Sequence, residues 1–246
     1  MNSSGQEDTL YSILRTDILE LKLRPGMVIS IKDISDNYGL GRSPVRDALI
    51  HLSKEGLITF LPQRGTMISK INYEKANNER FLRICVEENV MLEFMAACDL
   101  DMITELELSL DKQEKIIKEG NIRELLKEDI HFHSLFYTGA NREYCNHIIN
   151  ENSGDYRRMR LLSLMESGIS EEILRQHGEL VDALLAKDSL RMHEVFHNHL
   201  NTLVKHERQL KEKYSDLFCG LGEENKKKKT GLNADFLVDI KLRYSN

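Results

Sequence analysis

Apolar residues recur along the N-terminal part of the chain at two different periods, and the change of period marks the elements. Leu10, Ile13, Leu14, Ile18 and Leu21 keep the three-and-four spacing of one helical face, and Arg24-Pro25-Gly26 stops that helix. Ser30 is placed to cap a second helix, with Asp33 in capping-box position and Ile31, Ile34 and Tyr38 on one face, until Gly39 ends it. After the turn Gly39-Leu40-Gly41-Arg42, Ser43 is placed to cap a third helix with Pro44 at its first position. Val45, Ala48, Leu49 and Leu52 form its inner stripe and Gly56 terminates it. The segments 57–61 and 66–70 then read as two short strands around Pro62-Gln63-Arg64-Gly65. Three helices closed by a β-hairpin predict a winged helix-turn-helix over residues 7–72.

The remainder carries only the helical period. No proline follows Pro62, and the chain beyond is rich in Leu, Glu, Lys, Met and Ala, which predicts an all-α bundle over residues 73–218. The fold class is therefore mainly α, a winged helix-turn-helix followed by a helical bundle. The polar segment 69–80 reads as a linker, and residues 219–246, with Lys226, Lys227, Lys228 and Lys229, read as a loose tail. No stretch approaches the roughly 18 apolar residues of a membrane span, and the start lacks a basic region followed by an apolar one, so a cytoplasmic protein with no membrane partner is expected. Cys85, Cys98, Cys145 and Cys219 lie far apart and form neither a disulfide framework nor a zinc ribbon.

Charge changes the picture only when it is divided. The net charge of −6 is not that of a protein coated in positive charge, but residues 1–72 carry +1 and the rest −7. In a winged helix-turn-helix the start of the third helix enters the major groove, and Arg42, Ser43 and Arg46 occupy that place. A helix N-terminus offers free N–H groups to a phosphate, and a guanidinium can bind guanine in a bidentate way. Arg64 and Gly65 at the hairpin tip suit a minor-groove or backbone contact. Three arginines at the edges of one winged unit favour DNA over a helical hairpin with solvated arginines.

A second signal lies in the bundle. Ile122, Leu125, Leu126, Phe132 and Phe136 define an inner helical face on which Asp129 and His133 fall one turn apart. His177 sits among Ile173, Leu174, Leu180, Val181 and Leu184, and His199 among Met192, Val195, Phe196 and Leu203. One carboxylate and three imidazoles suit zinc, nickel, manganese or iron with a position left open. The spacing alone leaves a second reading equally open, hydrogen-bonded core histidines that hold nothing. His131 faces the other way, and His193 and His197 are one turn apart but offset from the inner stripe. Arg157, Arg158 and Arg160 read first as a solvated face, with one of them able to reach the interior pocket instead, and Met91, Met95, Met159 and Met165 read as core filling.

The run PGMVISIKDISDNYGLGRSPVRDALIHLSKEGLITFLPQRGTMI (25–68) resembles the DNA-binding domain of GntR-type bacterial repressors, with a Val-Ser-Arg-Thr-Pro-Val-Arg-Glu-Ala-Leu core and an Arg-Gly wing tip. Leu40-Gly41 stands for the usual Val-Ser, Ser43 for Thr, Asp47 for Glu and His51 for Arg. Residues 128–144, 175–188 and 197–203 resemble the effector-binding domain of the fatty-acid-regulator branch, the FCD type. That resemblance implies that Asp129, His133, His177 and His199 hold a divalent metal, with zinc expected first. It also implies a small organic or sugar acid bound beside the metal. Arg83, followed by Glu87, falls on the family's Arg-x-x-x-Glu helix. It can clamp an effector carboxylate, or it can form a structural pair with Glu87 on the helix surface.

Together these readings predict a ligand-responsive repressor that binds double-stranded operator DNA as a homodimer and is not an enzyme. The rival class is an all-α metal-dependent enzyme acting on a small carboxylate, since Asp plus three His with an open position can activate water. No general base is placed beside the site to serve it, and a winged helix would then be unexplained.

Overall fold

A computed structural model of the protein describes residues 3–219; the four-lysine run lies outside the described residues. The chain forms two compact units. One comprises the residues up to Ile71 together with the chain from Tyr214, and the other is Asn72–Lys213.

The first unit is built from α1 (Ser3–Leu19), β1 (Val28–Ile29), α2 (Ile31–Tyr38), α3 (Arg42–Lys54), β2 (Ile58–Leu61) and β3 (Gly65–Ile68). Leu10, Leu14 and Ile18 of α1 pack with Val45, Ala48, Leu49 and Leu52 of α3, so the predicted stripes face each other in one core. The Ser30 cap is reciprocal: its hydroxyl accepts from the Asp33 N–H at 3.0 Å, and the Asp33 carboxylate accepts from the Ser30 N–H at 3.3 Å. Ser43, expected as a cap, is instead inside α3, whose N-cap is Gly41. Proline is tolerated throughout a first helical turn because those N–H groups have no intrahelical acceptor, so Pro44 permits a start two residues earlier than the sequence suggests.

The wing has a strand that the sequence does not reveal. β3 pairs antiparallel with β2 (Ile58 opposite Ile68) and on its other edge with β1 (Val28 opposite Met67), giving the order β1-β3-β2. Two residues are too few for a period of two to be read. Residues 214–219 also return to this unit, where the helical domain was expected to run to 218. Phe218 bridges Ile71 in parallel, the Ile71 N–H donates to the Leu217 carbonyl at 2.9 Å, and Arg24 pairs with Asp216.

The second unit is all helical: α4 (Tyr73–Ala97), α5 (Leu100–Glu119), α6 (Ile122–Gly139), α7 (Glu143–Glu151), α8 (Gly154–Leu164), α9 (Ile169–Leu185), α10 (Ser189–Lys205) and α11 (Glu207–Lys213). The expected linker is mostly the start of α4. Asn72 caps that helix by accepting from the Lys75 N–H, and a polar run without Gly or Pro extends it at little cost. Asp99 and Asn121 cap α5 and α6 in the same way. Val90, Met91 and Phe94 of α4, Leu106 of α5, Phe132 and Phe136 of α6, Leu180 and Leu184 of α9, and Phe196 and Leu200 of α10 fill a continuous core. Met159 is also buried, but Met165 is exposed rather than core filling, because it sits at the end of α8, beyond the buried stripe. No described helix is long and apolar enough to cross a membrane.

Gly65 opens β3 with φ of +107°, and a Cβ there would stand 2.8 Å from the Ile29 carbonyl oxygen. Gly65→Ala is therefore expected to destabilise the N-terminal unit by about 1–3 kcal/mol through backbone strain and loss of β1–β3 pairing, read as a lower urea midpoint. Arg64→Ala, in the neighbouring exposed turn, should leave that midpoint unchanged.

Candidate DNA-reading surface and metal centre

In the first unit, Arg42, Ser43 and Arg46 project from the first turns of α3 and are exposed, and Arg42 and Arg46 share one face at i and i+4. Arg64 is exposed in the turn before β3, and Gly65 is half-buried as the first residue of that strand. The helix that carries the arginines is fixed from behind by its apolar stripe, so it presents a preformed polar edge.

In the second unit, Asp129 and His133 of α6, His177 of α9 and His199 of α10 are all buried. Each offers a ligand atom within 4.8 Å of the others. Their orientation follows from hydrogen-bond polarity. A carboxylate only accepts, so Ser109 must donate its hydroxyl proton to Glu128 at 2.6 Å; Ser109 Oγ then accepts from the Gln113 amide at 3.4 Å. Gln113 Oε1 is left to accept from His177 Nδ1 at 2.7 Å. A second relay runs in parallel: the Gln176 amide donates to Glu172 at 2.7 Å, and its Oε1 accepts from His199 Nδ1 at 3.0 Å. The Glu87 carboxylate stands 3.4 Å from His133 Nδ1. His177 and His199 thus keep the proton on Nδ1 and turn a bare Nε2 inward, whereas His133 Nδ1 has no hydrogen-bond partner.

That arrangement fits a cation. His133 Nε2 and His199 Nε2 approach to 3.2 Å, and Asp129 Oδ1 and His177 Nε2, 3.7 Å apart, are buried without a hydrogen-bond partner. Unpaired buried acceptors of this kind are costly unless a cation lies among them. Burial depresses all three imidazole pKa values. Next in weight come Arg83 for His133, His133 and Arg160 for His177, and the other two histidines for His199. Neutral imidazole is the ligating form.

A small recess adjoins the cluster and is lined by Arg83, Glu87, His133, Tyr156, Arg157 and Arg160 among others. Arg83 and Glu87 are 4% and 2% exposed, so their ion pair, Nε to Oε2 at 2.9 Å, is internal rather than on a helix surface. Burial raises the Glu87 carboxyl, but the Arg83 guanidinium and His133 together outweigh this and hold it down at about 2. Arg83 Nη1 is buried and has no hydrogen-bond partner. The expected solvated face of Arg157, Arg158 and Arg160 is not formed. Arg158 is fully buried against Asp155, and Arg160 is desolvated and touches Asp129. The tight approach of α8 to α4 and α6 draws them inward. Sequence reasoning also missed Ser109, Gln113 and Gln176. Their signal was polar residues interrupting an apolar stripe, as at 106, 109, 113 and 116 of α5.

A winged helix-turn-helix joined to a helical bundle that encloses an Asp-His₃ cluster defines a two-domain DNA-binding regulator. Residues 6–68 match the bacterial regulatory proteins of the gntR family, and residues 80–202 match the FCD domain, a type associated with metal binding. The chain belongs to the GntR family of transcriptional regulators and carries an FCD domain. It is 29% identical over 209 residues to the HTH-type transcriptional repressor RspR of Escherichia coli K12, covering 85% of this chain and 92% of that protein. Its fold is also that of Escherichia coli McbR/YncC, with a TM-score of 0.70 at 16% identity over 85% and 98% of the two chains. A GntR regulator of Rhodococcus sp. RHA1 gives 0.69 at 22% identity over 85% and 99%.

Arg83→Ala would strand the buried Glu87 charge, so it is expected to lower the unfolding free energy of the helical unit by roughly 3–5 kcal/mol in urea titrations. The pair also sets an acid limb. Because the folded Glu87 pKa lies below its ordinary 4.5, the stability it contributes is complete above that value and lost as the pH falls toward about 2. Unfolding of Arg83→Ala measured across that range should show this limb flattened.

Proposed function

We propose that the protein is a metal-containing, acid-responsive repressor acting on operator DNA as a homodimer in the cytoplasm. The observation that carries the reading is the convergence of three imidazoles and one carboxylate in a buried site. Asp129, His133, His177 and His199 would hold a divalent metal, zinc first by ligand set, with nickel, manganese and iron as the other candidates. When bound, the metal supplies an electrophilic position for an oxygen of the effector.

The chain's own residues support an acidic effector. Arg83, Arg157 and Arg160 line the recess beside Glu87, and guanidinium groups are the side chains suited to clamp a small organic or sugar acid in bidentate geometry. Arg83 offers the unpartnered Nη1, and the Tyr156 ring lies near the guanidinium groups of both Arg83 and Arg160. The effector acts by linkage, through its unequal affinity for the DNA-bound and free forms. Arg42, Ser43 and Arg46 would read the major groove, and Arg64 and Gly65 the neighbouring backbone or minor groove. Repression is supported by the name of the relative RspR.

Two measurements on the full chain test this. Elemental analysis should find close to one metal per chain, lost in Asp129→Ala/His177→Ala; no metal in either protein would reduce the cluster to core packing. With a fragment selected from random-sequence DNA, Arg46→Ala should weaken binding roughly 5- to 150-fold, the 1–3 kcal/mol of a bidentate base contact. Unchanged affinity would remove α3 from the DNA interface.

A further inference from the structure

We infer a second metal site, separate from the inner cluster, on the outer surface of the helical unit at Glu88, His193 and His197. His193 and His197 are one turn apart on α10, with ring centroids 6.0 Å apart and planes only 27° from parallel. Their side chains are 58% and 54% exposed. Glu88, on α4, places its Oε1 3.5 Å from His197 Nδ1 and 3.8 Å from His193 Nδ1. A single carboxylate oxygen thus faces an imidazole nitrogen from each of two ring positions.

The separations suit a metal better than they suit hydrogen bonds. Both exceed the roughly 3.2 Å limit of an N–H···O bond. Tetrahedral zinc, with bonds of about 2.0–2.1 Å to nitrogen and oxygen, holds its ligand atoms about 3.3–3.4 Å apart. The exposed His193 and His197 side chains would turn to bring their nitrogens to that spacing around one ion. Among the described residues no lysine or arginine pairs with Glu88, so the charge that would neutralise it is open to an ion. Leu92, Leu190 and Phe196 wall the apolar depression beside Glu88 and His193, which limits water on that side and strengthens a charge interaction there.

The site is distinct from the inner cluster. His199 follows His197 by two residues, about 200° around the helix at 3.6 residues per turn, and it is buried where His197 is exposed. Two imidazoles and one carboxylate select borderline ions, Zn²⁺, Ni²⁺ and most strongly Cu²⁺, over Mg²⁺ and Ca²⁺. With two exposed ligands and one half-buried one, it fills after the inner cluster. Because Glu88 adjoins Glu87 and His197 is near His199 in sequence, an ion here braces the two helices that also carry inner-site groups.

The full chain, titrated with Zn²⁺ against a chromophoric chelator, is expected to take up a second, weaker equivalent. His193→Ala/His197→Ala should lose that equivalent and keep the tight one, whereas Asp129→Ala/His177→Ala should lose the tight one and keep the weaker. Glu88→Gln should weaken the second step by at least about tenfold, since loss of even an outer-shell partner costs roughly 10–100-fold. Excess Zn²⁺ should raise the melting temperature of the wild type more than that of His193→Ala/His197→Ala. A weaker equivalent retained in His193→Ala/His197→Ala, or absent from the wild type, would overturn the site, and neither result bears on the inner cluster.

Discussion

The helical unit depends on a constraint of direction: a carboxylate can only accept. Glu128 and Glu172 each begin a chain of hydrogen bonds whose polarity is then fixed at every link. Ser109 and Gln113 pass one chain to His177, and Gln176 passes the other to His199. The far ends of both chains are lone pairs turned toward the same point. Nothing in the four inward residues themselves decides this. The tautomers are set a residue or two away, by groups whose packing roles look ordinary, and the apolar core of Phe132, Phe136 and Phe196 holds those groups in register.

The same logic of enforced pairing governs the neighbouring recess. Arg83 and Glu87 neutralise each other at depth, while Arg160 approaches Asp129 and Arg157 lines the wall. Opposite charges are thus brought together in a confined volume, where leaving either partner alone would be more costly than at a surface. The recess and the ligand cluster share His133, so what neutralises one is felt by the other.

Much of this could be read from the chain. The stripes Val45-Ala48-Leu49-Leu52 and Leu125-Phe132-Phe136 located their helices because apolar periodicity survives any detail of packing, and the Ser30–Asp33 box fixed one boundary outright. Periodicity also placed Asp129, His133, His177 and His199 on inner faces, but it left metal and core packing equally open, and only the family resemblance favoured metal. What escaped was set by tertiary contacts. The two-residue β1 exists only because β3 offers it an edge, and α4 begins inside a polar run because Asn72 caps it. Arg158 and Arg160 looked solvated because no local feature shows that acids on other turns and helices await them. Gln113 and Gln176 carry no local mark of their roles, which rest on their burial.

Gly65 carries a lesson of a different kind. At the tip of a wing, next to an arginine, a glycine invites the interpretation that it lets nucleic acid come close. Here its positive φ and the Ile29 carbonyl already require it, before any duplex arrives. A residue at a recognition surface can thus be invariant for the sake of the backbone behind it. Its presence in a related chain would certify a three-stranded wing and would be silent on whether that chain still reads DNA.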